Sequence, residues 1–289
     1  MNFSSFPLGP FVISTGGFFV FLGTLASCLV LIQTIRDEKV SLQFLSDHLM
    51  FFVFFPILLG RLGAFFSIFP ILKTDFQMAE NFWQKVIIFL KNFLIFGPSG
   101  ISIDWMLGGI FLTFLVISFW RKENFFSWLD AFSLPGITIA FFVSIGGFFS
   151  AWNYGAPIPE NFPHFFPFSV SYNLQEVRYS EPVYAVQIYS AIIFLFIFLI
   201  EWNLWKRKIF RLWAPGKFFA VTLFFFGFSN FFLEFFRGDS VPIFFGFRFS
   251  QILNFLITIS AVVFWIIRQK SFSFLAEKNR QRFNLKNRF

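Results

Sequence analysis

The chain has 289 residues, 57% of them apolar and only 13% charged, with 57 phenylalanines and a formal net charge of +8. Its mean hydropathy is +0.71. A water-soluble protein needs more charge than this to cover its surface. A soluble enzyme, a disordered chain and a collagen-like fibre are therefore excluded, which leaves an integral membrane protein.

A helix needs roughly 20 apolar residues to cross the hydrocarbon core. Stretches of that kind lie near 11–35, 49–72, 101–120, 131–151, 184–205, 216–236 and 249–267. The class predicted is an all-α, polytopic bundle of seven spans. The first span has no basic residue before Arg36, so it is expected to be an uncleaved anchor rather than a signal peptide. Between spans two and three, residues 83–96 carry Lys85 and Lys91 and predict an interfacial or re-entrant helix. Residues 152–183, with Pro157, Pro159, Pro163 and Pro167, predict a small extracytoplasmic cap. The organisation expected is a membrane domain over 1–270 with the cap inserted in it. A basic tail, 271–289, is expected to lie solvated near the anionic lipid surface of the cytosolic face.

Lys and Arg in alternate loops set the orientation. Sixteen fall in the loops after spans one, three and five and in the tail, against six in the other loops, with Arg61 inside a span. Cytoplasmic loops carry the excess, which predicts an outside N-terminus and an inside C-terminus. The same excess, spread over several loops, gives no sign of a nucleic-acid partner. Cys28 lies in an apolar stretch and His occurs only at 48 and 164, so no disulfide, metal or cofactor motif is expected. His48 falls on the cytoplasmic side, and His164 reads as a solvated loop histidine.

Ionisable groups within a span are expensive, so each is a candidate functional residue. Arg61 sits in LGRLG, between glycines that permit close approach. Asp104 lies just inside the third span. Glu234 and Arg237, three apart, share a helix face. Gln187 and Tyr189 open the fifth span and Gln251 opens the seventh. With the orientation above, all but the deeper Arg61 fall toward the outer half of the membrane. That points to a polar cavity open to the outer leaflet, with Gly146–Gly147 leaving room for a headgroup. Arg61 and Arg237 suit an anionic lipid phosphate, which guanidinium binds bidentately.

In order along 8–268, these segments resemble the prolipoprotein diacylglyceryl transferase family of bacterial inner-membrane enzymes. LGPFVISTGGFFVFLG (8–23) has the spacing of its first span, and LLGRLGAFF (58–66) is similar to its Gly-Arg-Leu-Gly element. GPSGISIDWMLGG (97–109) is similar to its His-Gly-Gly stretch, and SIGGFFSAWNYG (144–155) to its Arg-Ile-Gly-Asn signature. PVYAVQIYSA (182–191), FGFSNFFLEFFRGD (226–239) and FSQILN (249–254) complete the series. The resemblance implies transfer of diacylglyceryl from phosphatidylglycerol to the lipobox cysteine of a prolipoprotein, at a site facing the outer leaflet. The partners implied are that phospholipid and the prolipoprotein signal peptide, and the reading is a monomer.

Several motif positions differ. The family His maps to Asp104, its signature Arg to Ser144 and its sixth-span Arg to Asn230; Arg61, Gly146, Gly155, Gln187, Tyr189, Glu234, Arg237 and Gln251 remain. Asp104 is then the expected base, its carboxyl brought toward the working pH by burial. Arg61, Ser144, Gly146, Gln187, Tyr189, Glu234, Arg237 and Gln251 are the expected substrate-binding residues. Two other readings stay open on the residues. One is a non-catalytic homologue that binds phospholipid or lipoprotein signal peptides. The other is a lipid or small-solute transporter, permitted by Pro56 and Pro135, though no inverted repeat is visible.

Overall fold

A computed structural model describes residues 5–8, 11–38, 40–78, 81–94, 103–122, 124–172, 180–208, 213–239, 243–244 and 246–286. In chain order, strands β1 (Ser5–Leu8) and β2 (Phe11–Ser14) precede α1 (Thr15–Glu38), α2 (Leu42–Asp47), α3 (Leu49–Met78), α4 (Phe82–Leu94), α5 (Ile103–Arg121) and α6 (Phe125–Phe149). There follow β3 (Ser169–Val170), β4 (Val183–Tyr184), α7 (Val186–Lys206), α8 (Lys217–Leu233), a 3-10 turn (Glu234–Phe236), β5 (Ile243–Phe244), β6 (Phe247–Arg248) and α9 (Phe249–Lys286). Among the described residues the strands form three separate antiparallel pairs, and most of the others are helical. Among the described residues five helices are long and apolar enough to cross a membrane: Thr15–Glu38, Phe125–Phe149, Val186–Lys206, Lys217–Phe236 and Phe249–Lys270. Shorter apolar helices cover Leu49–Gly63 and Gly108–Arg121. The chain is a helical, multi-pass membrane protein.

Two boundaries depart from the sequence expectation. Residues 11–14 are not the first turn of a span but a strand paired with 5–8, Phe6 opposite Ile13 and Leu8 opposite Phe11. Pro7 and Pro10, followed by the β-branched Val12 and Ile13, favour an extended hairpin over a helical turn. Helix α6 starts at Phe125, ahead of the expected residue 131, and takes Asp130 into the helix.

The chain divides into two compact units, residues 1–40 with 126–289, and residues 41–125. In the smaller unit α3 and α5 pack antiparallel. A Cβ on Gly109 would stand 2.8 Å from the Pro56 backbone and 3.2 Å from Leu59, so glycine sets the distance at this crossing. Phe44, Phe52 and Phe114 fill one end. There Arg121 Nε donates to His48 Nε2 at 3.1 Å, while His48 Nδ1 lies 2.8 Å from the Phe44 carbonyl. Arg121 Nε carries a hydrogen, so His48 Nε2 is the acceptor in that pair. His48 is thus a packed structural side chain.

In the larger unit α1 crosses α6 along small residues. A Cβ on Gly16 would meet Ser150 Oγ at 2.3 Å, and one on Gly23 would meet the Phe142 side chain at 2.6 Å. Farther along, Ser27 Oγ donates to the Pro135 carbonyl at 3.0 Å and Thr34 Oγ1 to Ala131 at 2.8 Å. The core between α6, α7 and α8 holds Leu134, Trp205 and Phe218 in one cluster, and Ile137, Phe194 and Ile197 in another. Helix α8 meets α9 at Gly227, where a Cβ would stand 2.8 Å from Thr258 Oγ1.

Asp130 explains the start of α8. Its carboxylate accepts from the Gly216 N–H at 2.6 Å and the Phe219 N–H at 2.8 Å. The first N–H groups of a helix have no partner within it, and here a side chain from another helix satisfies two of them. Gly216 holds a left-handed backbone, φ 92°, between Phe126 and Phe264. Arg268 closes the same corner, its Nε donating to the Pro215 carbonyl at 2.8 Å and its guanidinium lying over the Phe126 ring.

Candidate functional site

At the opposite end of the larger unit, the last turn of α6, the first turn of α7, the 3-10 turn after α8 and the start of α9 converge beneath residues 151–157. Main-chain pairing fixes this arrangement. Ala156 N donates to the Phe236 carbonyl at 2.8 Å, Gly238 N to Tyr154 at 2.9 Å and Tyr184 N to Ala156 at 3.0 Å. Only glycine allows so close a passage. A Cβ on Gly155 would lie 2.2 Å from the Tyr184 carbonyl, and one on Gly238 2.5 Å from that of Gly155.

Four charged side chains lock together at this seam. Arg237 takes Asp239 with both Nε and Nη2, at 3.0 and 2.8 Å, the forked geometry that guanidinium offers a carboxylate. It also donates to Glu234 Oε1 and to Asn153 Oδ1. Arg248 bridges the same two acids, Nε to Glu234 Oε2 at 2.9 Å and Nη2 to Asp239 Oδ1 at 2.8 Å, with Nη1 on the Arg237 carbonyl at 3.1 Å. Ser250 Oγ donates to Glu234 Oε2 at 2.7 Å. Glu234 is 3% exposed, so its charge has little water and relies on these donors. Two guanidinium groups and two carboxylates make the cluster neutral in sum.

The other expected site residues fall as follows. Gln187 is buried and donates from Nε2 to the Trp152 carbonyl at 2.7 Å, holding the chain as it leaves α6. Tyr172, which the sequence did not single out, is buried near Gln187, and burial pushes its phenol well above the usual range, with Gln187 pulling the other way. The Tyr189 hydroxyl donates to the Phe168 carbonyl. Gln251 Oε1 accepts the Arg248 N–H at 2.9 Å, the reach back to the residue before α9 that caps a helix start. Ser144 Oγ donates to the Ala140 carbonyl at 2.9 Å, within its own helix. Gly146 corrects an expectation. A Cβ there would meet the Gly16 carbonyl at 2.9 Å and Phe19 at 3.2 Å, so α1 occupies the room assigned to a headgroup.

Arg61 and Asp104 belong to the smaller unit. Arg61 is buried in α3, 4% exposed. Asp104 lies in the first turn of α5, and its side chain is outside the described residues. With α3 and α5 antiparallel and Gly109 opposite Pro56 and Leu59, the backbone brings position 104 within about one helical turn of the level of Arg61. His164 is exposed in the segment between α6 and α7, its Nε2 3.2 Å from the Glu160 carbonyl.

Asp239, Arg248, Asn153 and Ser250 complete the cluster and were missed in the sequence as site residues. Arg248 read only as a loop charge. The available signal was its position three residues before Gln251, at the start of a span.

A family model described as prolipoprotein diacylglyceryl transferase matches residues 4–267. A phosphatidylglycerol–prolipoprotein diacylglyceryl transferase of Protochlamydia amoebophila is 30% identical over 209 residues, 71% of this chain and 51% of that protein. The chain thus spans about half the length of that relative. Proteins of the same name from Lactobacillus johnsonii and Lactobacillus gasseri are each 24% identical over 277 residues, covering 93% of this chain and 91% of theirs. The motif segments, from the Gly-Arg-Leu-Gly element of α3 to the glutamine that caps α9, all lie inside the matched region, and the chain belongs to the prolipoprotein diacylglyceryl transferase family.

Proposed function

We propose that this protein transfers a diacylglyceryl group from phosphatidylglycerol to the lipobox cysteine thiol of a prolipoprotein. It works as a monomer in a bacterial cytoplasmic membrane that it spans seven times, with its N-terminus outside. The membrane domain is 1–270, with 152–183 as an outer cap, and the basic tail 271–289 lies at the cytosolic surface. One observation carries the reading. Gln187, Tyr189, Glu234, Arg237 and Gln251, all at positions matched to family motifs, gather at one end of the larger unit beneath the cap.

In the reaction the thiol sulfur forms a bond to the terminal glycerol carbon of the diacylglyceryl group. The bond from that carbon to the phosphate oxygen breaks, and glycerol phosphate leaves with the electron pair. The thiol must first become a thiolate. Asp104 accepts that proton as the general base. Arg61 offers its guanidinium to the phosphate as charge builds on the leaving group. In the larger unit, Glu234, Arg237 and Gln251 are substrate-binding residues that hold the seam beneath residues 151–157. Ser144 lies on the adjoining stretch of α6.

The test is direct. The full chain in membranes, given phosphatidylglycerol and a lipobox peptide, yields diacylglyceryl peptide, and Asp104→Asn lowers the rate by about two orders of magnitude, the scale of a lost general base. A fully active Asp104→Asn protein would remove Asp104 from the mechanism. A wild-type chain with no product would overturn the transferase reading itself.

A further inference from the structure

The cap carries two phenylalanine rings that the protein leaves uncovered. Phe165 and Phe166 are each 62% exposed. Large apolar side chains grouped on a surface mark a place where something apolar binds. Their height identifies the partner. The Phe166 ring meets Phe148, in the last turn of α6, with centroids 6.1 Å apart. The carbonyl of Phe168, whose ring stands edge-on to Phe165 at 5.5 Å, accepts from Tyr189 in the first turn of α7. The tip is therefore level with the ends of two spans and does not stand off above them. Just along α7, Ile192, Leu195 and Phe196 are exposed as lipid-facing residues. Trp152, the third residue past α6, is also exposed, and aromatic rings concentrate where spans leave the bilayer. Residues 165–168 carry no ionisable group; the nearest are Glu160 and His164, both exposed.

We propose that the 165–168 tip is a membrane-inserted lip that dips into the headgroup–acyl boundary of the leaflet at the Glu234 end, its partner being the phospholipid surface itself. The lip is coupled to the charged cluster. Phe162 stands edge-on to Phe168 at 6.2 Å and to Tyr184 at 5.0 Å, and Tyr184 to Phe236 at 5.3 Å. Phe236 is the residue before Arg237, so the depth of the lip fixes the height of the cap over the cluster.

The experiment uses the wild-type full chain in vesicles of phosphatidylcholine and phosphatidylglycerol containing a phospholipid with a diazirine near the glycerol end of one acyl chain. After illumination, mass spectrometry locates the adducts. The expected result is adducts on 165–168 at a yield matching that on Ile192 and Leu195. Adducts on α7 with none on 165–168 would overturn the proposal and favour a peptide as the occupant. A second measurement places a spin label on Phe165→Cys in a Cys28→Ser background, with Asn161→Cys as the aqueous control. Oxygen collisions should dominate over those of a water-soluble nickel chelate at 165, and the reverse at 161; a water-like signal at 165 also refutes insertion. Neither readout depends on diacylglyceryl transfer, so failure of the proposed reaction leaves both intact.

Discussion

The Thr34 hydroxyl of α1 donates at 2.8 Å to the carbonyl of Ala131 in α6, four residues before Pro135. Proline has no N–H to give that carbonyl, so the donor a straight helix would supply comes from the neighbouring one. Both Thr34 and Ala131 are fully buried, where an unpaired carbonyl is costly. Thr34→Val should therefore destabilise the protein by about 1–2 kcal/mol. In a Pro135→Ala background the new N–H reaches Ala131, and the cost of Thr34→Val should shrink. Thermal unfolding of the four proteins in detergent gives the coupling, and simple additivity would refute it.

Asp130→Ala removes both acceptors at the start of α8. About 1–3 kcal/mol should be lost, because two buried N–H groups remain without partners. Asp130→Asn keeps one acceptor oxygen and should recover part of the loss. Hydrogen exchange at Gly216 and Phe219 separates this from general loosening. Unchanged protection there would show that the cap is not formed in solution.

Arg248→Ala leaves Glu234 and Asp239 with a single guanidinium between them. With Glu234 buried and Asp239 partly exposed, the expected loss is about 1–3 kcal/mol, and transfer should fall about tenfold or more as residues 151–157 lose their seat. Arg248→Lys keeps a charge near Glu234 but cannot span both acids, so an intermediate stability is expected. Protease cleavage within 151–157 provides a local readout, and a wild-type cleavage pattern in Arg248→Ala would contradict the coupling.

Gly155 and Gly136 make opposite predictions for the same substitution. Gly155→Ala drives a methyl group to 2.2 Å from the Tyr184 carbonyl and should displace the cap. Gly136 has open space around it, and alanine there should stabilise α6 by about 0.5–1 kcal/mol. Melting temperatures of the two variants should move in opposite directions.

Apolar length made five long helices legible, because a helix must be about that long and apolar to cross the hydrocarbon core. Hydropathy misplaced the start of α6, since Asp130 looks like a boundary until α8 supplies its two N–H partners. In the site, the three-residue spacing of Glu234 and Arg237 pointed to their pairing, although Arg237 stands in extended backbone just past the 3-10 turn and not on a shared helix face. Their closure by Arg248 was not, because that pairing crosses the turn between α8 and α9 and has no sequence period. Gly146 misled for a related reason: the sequence shows that room exists beside a glycine but not that Gly16 of α1 takes it.

The Glu234–Arg237–Asp239–Arg248 ring projects almost no field beyond its own edge, because opposite signs alternate around it. Raising ionic strength should leave it standing, as exchange with bulk ions cannot improve on partners already in contact. Nor does the ring act as a beacon for an anionic substrate. On the function proposed above, a phospholipid would reach this end of the larger unit by lateral diffusion within its own leaflet, with any selection among headgroups made after arrival, at short range.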